Sequence, residues 1–480
     1  MAIRPSEEEN KSSKTPVPWS QLIIILLVRL AEPISFTILF PFIYYLVGDL
    51  NIADGKEDLA YYAGIITSSF AISQLVSGIH WGILSDKIGR KPVIIFGLLG
   101  TTISLFLFGL SKSLLWAIAS RSLCGLLNGN IAVIKSMVVE ITDKSNRAYA
   151  FSFLPMTYGI GMIVGPLLGG YLSNPIDKYP HLIKNPKLAE FLIYYPYFLP
   201  CFISSSLCLL SATIGALFLK ESLPRNCKQN SMPERETLLN RSDSNPNFRA
   251  IEPSCSDQNI AANTSNNVIP LKTWLSITVY SVIGLTRVMS TELTPFWASG
   301  DKRHGGLEFD TTQVGKLLSV AGLPLILFQV FIFVHLNDRF GSLKLLKFGF
   351  LGAAPIYLLF PATSYFFDLN VIGYSVWIYL IILVTLRTFF NAILISSSNL
   401  AIIDSCPSHM LGKVNGIAQS FISFSRTLGP YLVGVIYSWS LKNESGFILF
   451  YYPLTWIVIS VFLIAGHILT RNIIHMDCFN

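Results

Sequence analysis

Long apolar runs separated by short polar links dominate this chain and restrict it to a membrane fold. Two of these runs, at residues 61–84 and 93–110, meet at a charged, glycine-containing link. An apolar helix of about 20 residues is long enough to cross the hydrocarbon core of a bilayer. Only 13% of the residues are charged, whereas soluble domains have about 25%. We therefore expect an all-α integral membrane protein.

The length criterion predicts twelve transmembrane helices, which we call spans one to twelve. Several of them exceed the bilayer thickness and are expected to tilt. The predicted spans cover residues 19–47, 59–84, 92–110, 113–139, 148–172, 193–219, 273–298, 311–335, 344–361, 371–400, 410–439 and 446–470.

The polar segments divide the chain into five predicted units. A tail at residues 1–18 precedes a six-helix bundle at residues 19–219, and a second six-helix bundle at residues 273–470 precedes a tail at residues 471–480. Between the bundles, residues 220–272 are rich in Ser, Asn, Pro and charge, so we expect them to be disordered. Lys and Arg are more frequent on the side of the two termini, even without this central link. This excess predicts that both termini are cytosolic.

The charged link at residues 82–91, which we call the first hinge, joins spans two and three. Gly89 permits a tight turn, and we expect Asp86 just beyond the end of span two. A carboxylate and cations at helix ends can latch two halves of a protein together, which predicts a gating role. The alternative is that the cations bind lipid headgroups and fix topology. The predicted gating residues here are Gly82, Asp86, Gly89, Arg90 and Lys91.

Elements of the first half recur in the second half. A second hinge at residues 335–341 contains Asp338 and Arg339, and the Gly-Pro pair at residues 165–166 recurs at residues 429–430. At the same offset Glu140 corresponds to Asp404. Repeated halves of six helices are typical of secondary transporters, whose substrate site lies between the halves.

With these motifs in place, the chain resembles the major facilitator superfamily. The first hinge is similar to its signature between helices two and three, and Arg121-x-x-x-Gly125-x-x-x-Gly129 is similar to its helix-four signature. More narrowly, residues 29–35, 127–143 and 165–170 resemble the zinc-induced-facilitator-like group of plants and fungi. The resemblance implies a proton-driven carrier. The family's helix-five motif, which is associated with antiporters, is matched by Gly161, Gly165, Pro166, Gly169 and Gly170.

Glu32 lies near the middle of span one, where an ionised carboxylate is costly. Such a group is expected to face a cavity, to find a partner or to be protonated. Arg121 in span four is predicted to lie within one or two turns of the same depth. We therefore predict that Glu32 and Arg121 pair and couple transport to protons. The alternative is a structural ion pair without proton traffic.

Further intramembrane polar residues are candidates for substrate contact. In the family fold, spans seven and ten face the cavity, which implies substrate-binding roles for Arg287 and Arg387. Together with Asn128 and Asn391 they are the predicted substrate contacts. Other charges in spans are Arg29, Lys135, Glu292 and Arg426, and we expect Arg426 to pair with Asp404 or a lipid phosphate. The excess of cations favours an anionic or zwitterionic solute.

These observations predict a carrier that exchanges a small organic solute for protons by alternating access. The alternatives are a uniporter or symporter of the same fold, or a receptor or scaffold that transports nothing. The sequence has no pattern for an enzyme, a cofactor, a metal site or nucleic-acid binding. Glu234, Leu238 and Leu239 match an acidic dileucine signal, which predicts sorting adaptors and a vacuolar or other endomembrane location. The alternatives are a plain linker and the plasma membrane.

Overall fold

The computed structural model describes residues 15–143, 146–223, 269–364, 373–406, 410–443 and 451–479. Its regular structure in these ranges is helical, and helices occupy all twelve predicted spans. In order, the spans contain Trp19–Thr37 with Ile43–Asp49, Leu59–Ile88, Arg90–Gly109, Leu114–Leu127 with Asn130–Ile141, Arg147–Leu172, Phe198–Phe218, Leu271–Ser299, Thr311–Ser319 with Gly322–Leu327 and Phe333–Phe340, Ser342–Leu359, Gly373–Ser405, Leu411–Lys442, and Leu454–Phe479.

Within the described ranges, nine spans are apolar and continuous enough to cross a membrane by composition alone. Spans seven, eight and eleven are not among them. Span seven contains Arg287 and Glu292, span eight is divided into short helices, and span eleven contains Arg426. The polar residues in spans seven and eleven are those expected of helices that face an aqueous cavity.

Several predicted boundaries are wrong. The helix of span twelve continues through Phe479, so residues 471–479 are not a separate tail. Span seven begins at Leu271, inside the predicted central link. Two short helices, Pro175–Lys178 and Pro186–Tyr194, lie between spans five and six and were not predicted. Most of the central link, residues 224–268, lies outside the described residues.

Span four is broken at Asn128, whose φ of −95° and ψ of 89° are not helical. Side chains of span two donate hydrogen bonds to the backbone carbonyl groups beside this break. Trp81 Nε1 donates to Leu126 O at 2.7 Å, and Gln74 Nε2 donates to Asn128 O at 3.4 Å. Backbone carbonyl groups that lose their helical partners at a break need others, and these two hydrogen bonds support the break. It turns the Asn128 side chain toward span one.

Opposite ends of the spans define two faces of the molecule. The terminal face includes residues 15–18, where Asn146 Nδ2 donates to Thr15 O at 3.2 Å. The distal face includes residues 49–58 and 300–310. The two halves meet where span two packs on span eleven and span five packs on span eight.

The helix-five glycines allow close contact with two different spans. A Cβ atom added at Gly165 would lie 2.9 Å from Ile34 O, and one at Gly169 would lie 2.0 Å from Ile38 O, both in span one. Gly161 meets span one at Pro33 in the same way. Gly170 instead meets span eight, where an added Cβ would lie 2.5 Å from Thr311 O. The motif thus packs within one half and between halves, through small residues as membrane helices often do.

The first hinge is shorter than predicted. Gly82 and Asp86 belong to the helix Leu59–Ile88, so the expectation that Asp86 lies beyond that helix is wrong. Gly89 alone separates the two helices, with a φ of 111° that favours glycine. Gly341 makes the equivalent turn of the second hinge, with a φ of 77°.

Arg90 is the centre of the first hinge. Its guanidinium donates to Asp86 Oδ1 at 2.6 Å and to Glu140 Oε1 at 2.9 Å. Glu221, after span six, accepts hydrogen bonds from the backbone N–H groups of Arg90 and Lys91 at 2.8 and 3.1 Å. These contacts join spans two, three, four and six of one half.

The second hinge is simpler. Ser342 occupies the position of Arg90 and donates to Asp404 Oδ2 at 3.0 Å. Asp338 and Arg339 lie in the helix Phe333–Phe340, and the Arg339 guanidinium lies 5.7 Å from the Phe340 ring.

Candidate transport cavity

A cavity of about 440 Å³ lies between the two halves. Both halves contribute charged side chains to its wall. The charged lining residues are Arg29, Glu32, Arg121 and Lys135 from the first half and Arg287, Glu292 and Arg426 from the second half. Aromatic and polar residues complete the wall, among them Phe36, Phe70, Asn128, Tyr158 and Gln329.

Ion pairs between the halves close the distal face. Lys56 Nζ lies 3.2 Å from Asp301 Oδ2, and Lys442 Nζ lies 2.6 Å from Asp58 Oδ1. The backbone N–H of Arg303 donates to Asp301 and lowers the pKa of that carboxyl below its usual value, and Lys56 adds to the effect. The pair with Asp301 is therefore maintained at neutral pH.

Hydrogen bonds add to this closure. Lys178 Nζ donates to Thr311 Oγ1 at 2.6 Å, and the Tyr45 hydroxyl donates to Phe309 O. The backbone N–H of Tyr61 donates to Ser438 Oγ at 3.1 Å. Each of these bonds joins one half to the other, so the distal end of the cavity is sealed.

The cavity extends toward the terminal face. Lys135 lies in the middle of the helix Asn130–Ile141, which is the part of span four next to the terminal face, and Gln419 lies two turns into the helix Leu411–Lys442. Both side chains line the cavity and are exposed, as is Asn399 in span ten. The structure is thus open on the side of the termini and closed on the opposite side.

Glu32 faces this cavity, but its neighbours are not those expected. The charges that act on it are Arg29, one turn away in span one, and Arg426 in span eleven, and the Asn128 side chain is also close to it. Arg121 is not among these neighbours, so the expected pair of Glu32 with Arg121 does not form. The expected pairing of Arg426 with Asp404 is also wrong, because Arg426 lines the cavity.

Arg121 faces Glu292 of the other half instead. The two side chains are 3% and 2% exposed, and their charges act on each other. The Arg121 guanidinium lies 4.6 Å from the Phe70 ring centre. Sequence reasoning noted Glu292 as an intramembrane charge without giving it a role. Its position in span seven, opposite Arg121, depends on how the halves meet.

The four predicted substrate contacts divide into two groups. Asn128 and Arg287 line the cavity, and the Arg287 guanidinium lies 5.4 Å from the ring of Tyr158 in the other half. Arg387 and Asn391 do not line it. Arg387 donates to Thr294 Oγ1 at 2.5 Å, and Asn391 Nδ2 donates to the Tyr357 hydroxyl at 2.9 Å. Both therefore bind neighbouring spans of the second half.

The family model for the Major Facilitator Superfamily matches residues 25–306 and 273–473. The chain belongs to the major facilitator superfamily. It is therefore a membrane transporter rather than an enzyme, with two halves of six transmembrane helices.

Relatives cover nearly the whole chain. Protein ZINC INDUCED FACILITATOR 1 of Arabidopsis thaliana is 30% identical, over 96% of this chain and 93% of the relative. The multidrug transporter mfsB of Aspergillus fumigatus is also 30% identical, over 90% of this chain and 80% of the relative. These relatives confirm the predicted resemblance to the zinc-induced-facilitator-like and drug-transporting group.

A solved structure shows the same fold. The bacterial homologue of the human lysosomal transporter Spinster superposes with a TM-score of 0.64, over 96% of this chain and 97% of that one. At 14% identity this similarity concerns the fold alone.

Proposed function

We propose that this transporter exchanges a small organic solute for protons by alternating access. The observation that carries the proposal is Glu32, a carboxylate in the middle of span one that faces a cavity between the two halves. A carboxylate at this depth binds a proton reversibly when its cationic neighbours move. The similarity to a multidrug transporter supports a small organic solute.

The neighbours of Glu32 give a physical route for coupling. Arg29 belongs to its own span, whereas Arg426 belongs to the other half. When the halves rock, Arg426 moves relative to Glu32 and Arg29 does not. Separation from Arg426 removes a positive charge and favours protonation of the carboxyl group. This arrangement replaces the expected role of Arg121 with a role for Arg426.

The side from which the solute enters follows from topology. The excess of Lys and Arg on the side of the termini supports a cytosolic position for that face. With the terminal end of the cavity open, the solute enters from the cytosol and leaves at the distal face. We infer export, or loading of an acidic compartment such as a vacuole.

A substitution at Glu32 tests this function. Purified protein in liposomes is given a pH gradient, and solute-dependent proton flux is followed with a fluorescent dye. Glu32→Gln keeps the size of the side chain but removes its titration, so we expect proton flux to be lost while solute exchange remains. Glu190→Gln, in the helix Pro186–Tyr194 outside the cavity, is the control. Normal proton coupling in Glu32→Gln would exclude this residue from the mechanism.

A further inference from the structure

We propose that Arg121 and Glu292 together form a binding site for a zwitterionic solute that carries both a carboxylate and an amino group. The proposal rests on the transport function above for its biological meaning, but its evidence is separate. It concerns two oppositely charged side chains that face the same cavity from different halves.

Both side chains are incompletely satisfied. Arg121 Nε and Glu292 Oε2 are buried, and neither has a hydrogen-bond partner among the residues that the structure describes. The residues are 3% and 2% exposed, and both line the cavity. A buried polar atom without a partner costs free energy, and a buried charge costs more. Two such atoms of opposite sign at one cavity wall are explained if a ligand supplies their partners.

The chemistry of the two groups defines the ligand. A guanidinium presents parallel N–H donors that match a carboxylate, whereas a carboxylate accepts hydrogen bonds from a protonated amine. The ring of Phe70 lies 4.6 Å from the Arg121 guanidinium carbon and restricts its orientation. The Thr67 side chain is close to Glu292. The acidic and basic groups are therefore held in place before the ligand arrives.

The other charges of the cavity do not offer the same pairing. Glu32 has two cationic neighbours, Arg29 and Arg426, and Arg287 lies against the ring of Tyr158. Arg121 and Glu292 present one charge of each sign from spans four and seven. A zwitterion that bridges them therefore links the two halves. An amine alone leaves Arg121 without its partner and an acid alone leaves Glu292 without one, so each should bind less tightly.

Binding of matched compounds to the purified full-length protein tests the proposal. The panel consists of aliphatic and aromatic α-amino acids, each with the amine that lacks its carboxylate and the acid that lacks its amino group. Affinity is measured from the concentration dependence of the melting temperature. We expect at least one amino acid to bind at least tenfold more tightly than both of its counterparts. Equal binding of the amine or the acid, or no binding of any amino acid, would overturn the proposal.

Glu292→Gln identifies the site. In this variant the amino acid should lose its advantage over the matching acid, and Glu190→Gln should retain it. An unchanged advantage in Glu292→Gln would also overturn the proposal. If that variant does not fold, the ligand comparison on the wild-type protein still decides.

The outcomes separate this proposal from proton exchange. Selective binding of the zwitterion without solute-dependent proton flux would contradict the proposed function and leave the site intact. Solute-dependent proton flux without selectivity for the zwitterion would contradict the proposed binding site and leave the proposed function intact.

Discussion

Gly170 of span five and Gly315 of span eight lie so close that a Cβ atom added to either would be 3.1 Å from the Cα atom of the other. Gly64 of span two and Gly434 of span eleven form the corresponding contact, where a Cβ added at Gly64 would lie 3.3 Å from Gly434 Cα. Both contacts join one half to the other. These two glycine contacts allow the backbones of the two halves to approach each other closely beside the sealed distal face.

A methyl group at Gly170 should loosen this face. The added Cβ would meet backbone atoms of span eight, which cannot move as a flexible side chain does, and overpacking of this kind typically costs about 1–3 kcal/mol. We expect Gly170→Ala to lower the melting temperature. Ser173 is buried beside this contact. In a background without the native cysteines, Gly170→Ala should increase the labelling of a Ser173→Cys variant by an impermeant maleimide.

Gly78→Ala is the matched control, because a Cβ added at Gly78 has no atom of the described part of the chain within 4 Å. The control should leave labelling unchanged. Equal labelling in Gly170→Ala and wild type would mean that this contact does not hold the distal face closed.

The two hinges predict unequal effects of equivalent substitutions. Glu140→Gln removes the charge that accepts two guanidinium hydrogen bonds of Arg90, at 3.0 and 2.9 Å, and should cost about 2 kcal/mol. Asp404→Asn affects one hydrogen bond from Ser342 and should cost less than about 1 kcal/mol. Denaturation of the two variants in one detergent measures both costs. A larger loss in Asp404→Asn would contradict the central role of Arg90.

The Asp301 pair predicts how the distal closure responds to pH. The pKa of Asp301 is lower in the folded protein than in the unfolded chain, where it is near 4. The ionised carboxylate therefore stabilises the folded protein fully at pH values above the pKa of the unfolded chain. That contribution is lost as the pH falls through the lowered pKa. The difference in melting temperature between wild type and Asp301→Asn should be constant from pH 5.5 to 7.5 and shrink under stronger acid. A difference that varies within the neutral range would assign the response to another group.

The predicted dileucine signal lies outside the described residues and is tested in cells. If adaptors read it, a fluorescently tagged Leu238→Ala, Leu239→Ala variant should leave the vacuolar membrane and accumulate elsewhere. Glu190→Gln with the same tag should localise like the wild type. Identical localisation of the double variant and the wild type would make the segment a plain linker.

The fold was predictable because its signals are local. The length of each apolar run determines a span, and Gly89 marks the first hinge because a φ of 111° favours glycine. The break at Asn128 was not predictable in the same way. It is supported by Trp81 and Gln74 of span two, so it depends on contacts between distant parts of the chain.

The cavity was predicted less completely for the same reason. The depth of Glu32 follows from its place in span one, but its neighbours depend on how nine spans surround the cavity. Arg387 occupies a span that faces the cavity, yet its guanidinium turns to Thr294. Glu292 has no sequence signal beyond being a charge in a span, and only the packing of the halves brings it opposite Arg121.

The direction of proton movement in wild-type liposomes tests the central claim most directly. A solute that binds the purified protein is placed on one side of the membrane at equal pH, and the internal pH is recorded as the solute crosses. Exchange predicts that protons move opposite to the solute and that the flux vanishes without it. Protons that move with the solute, or a solute flux with no change in pH, would contradict the account.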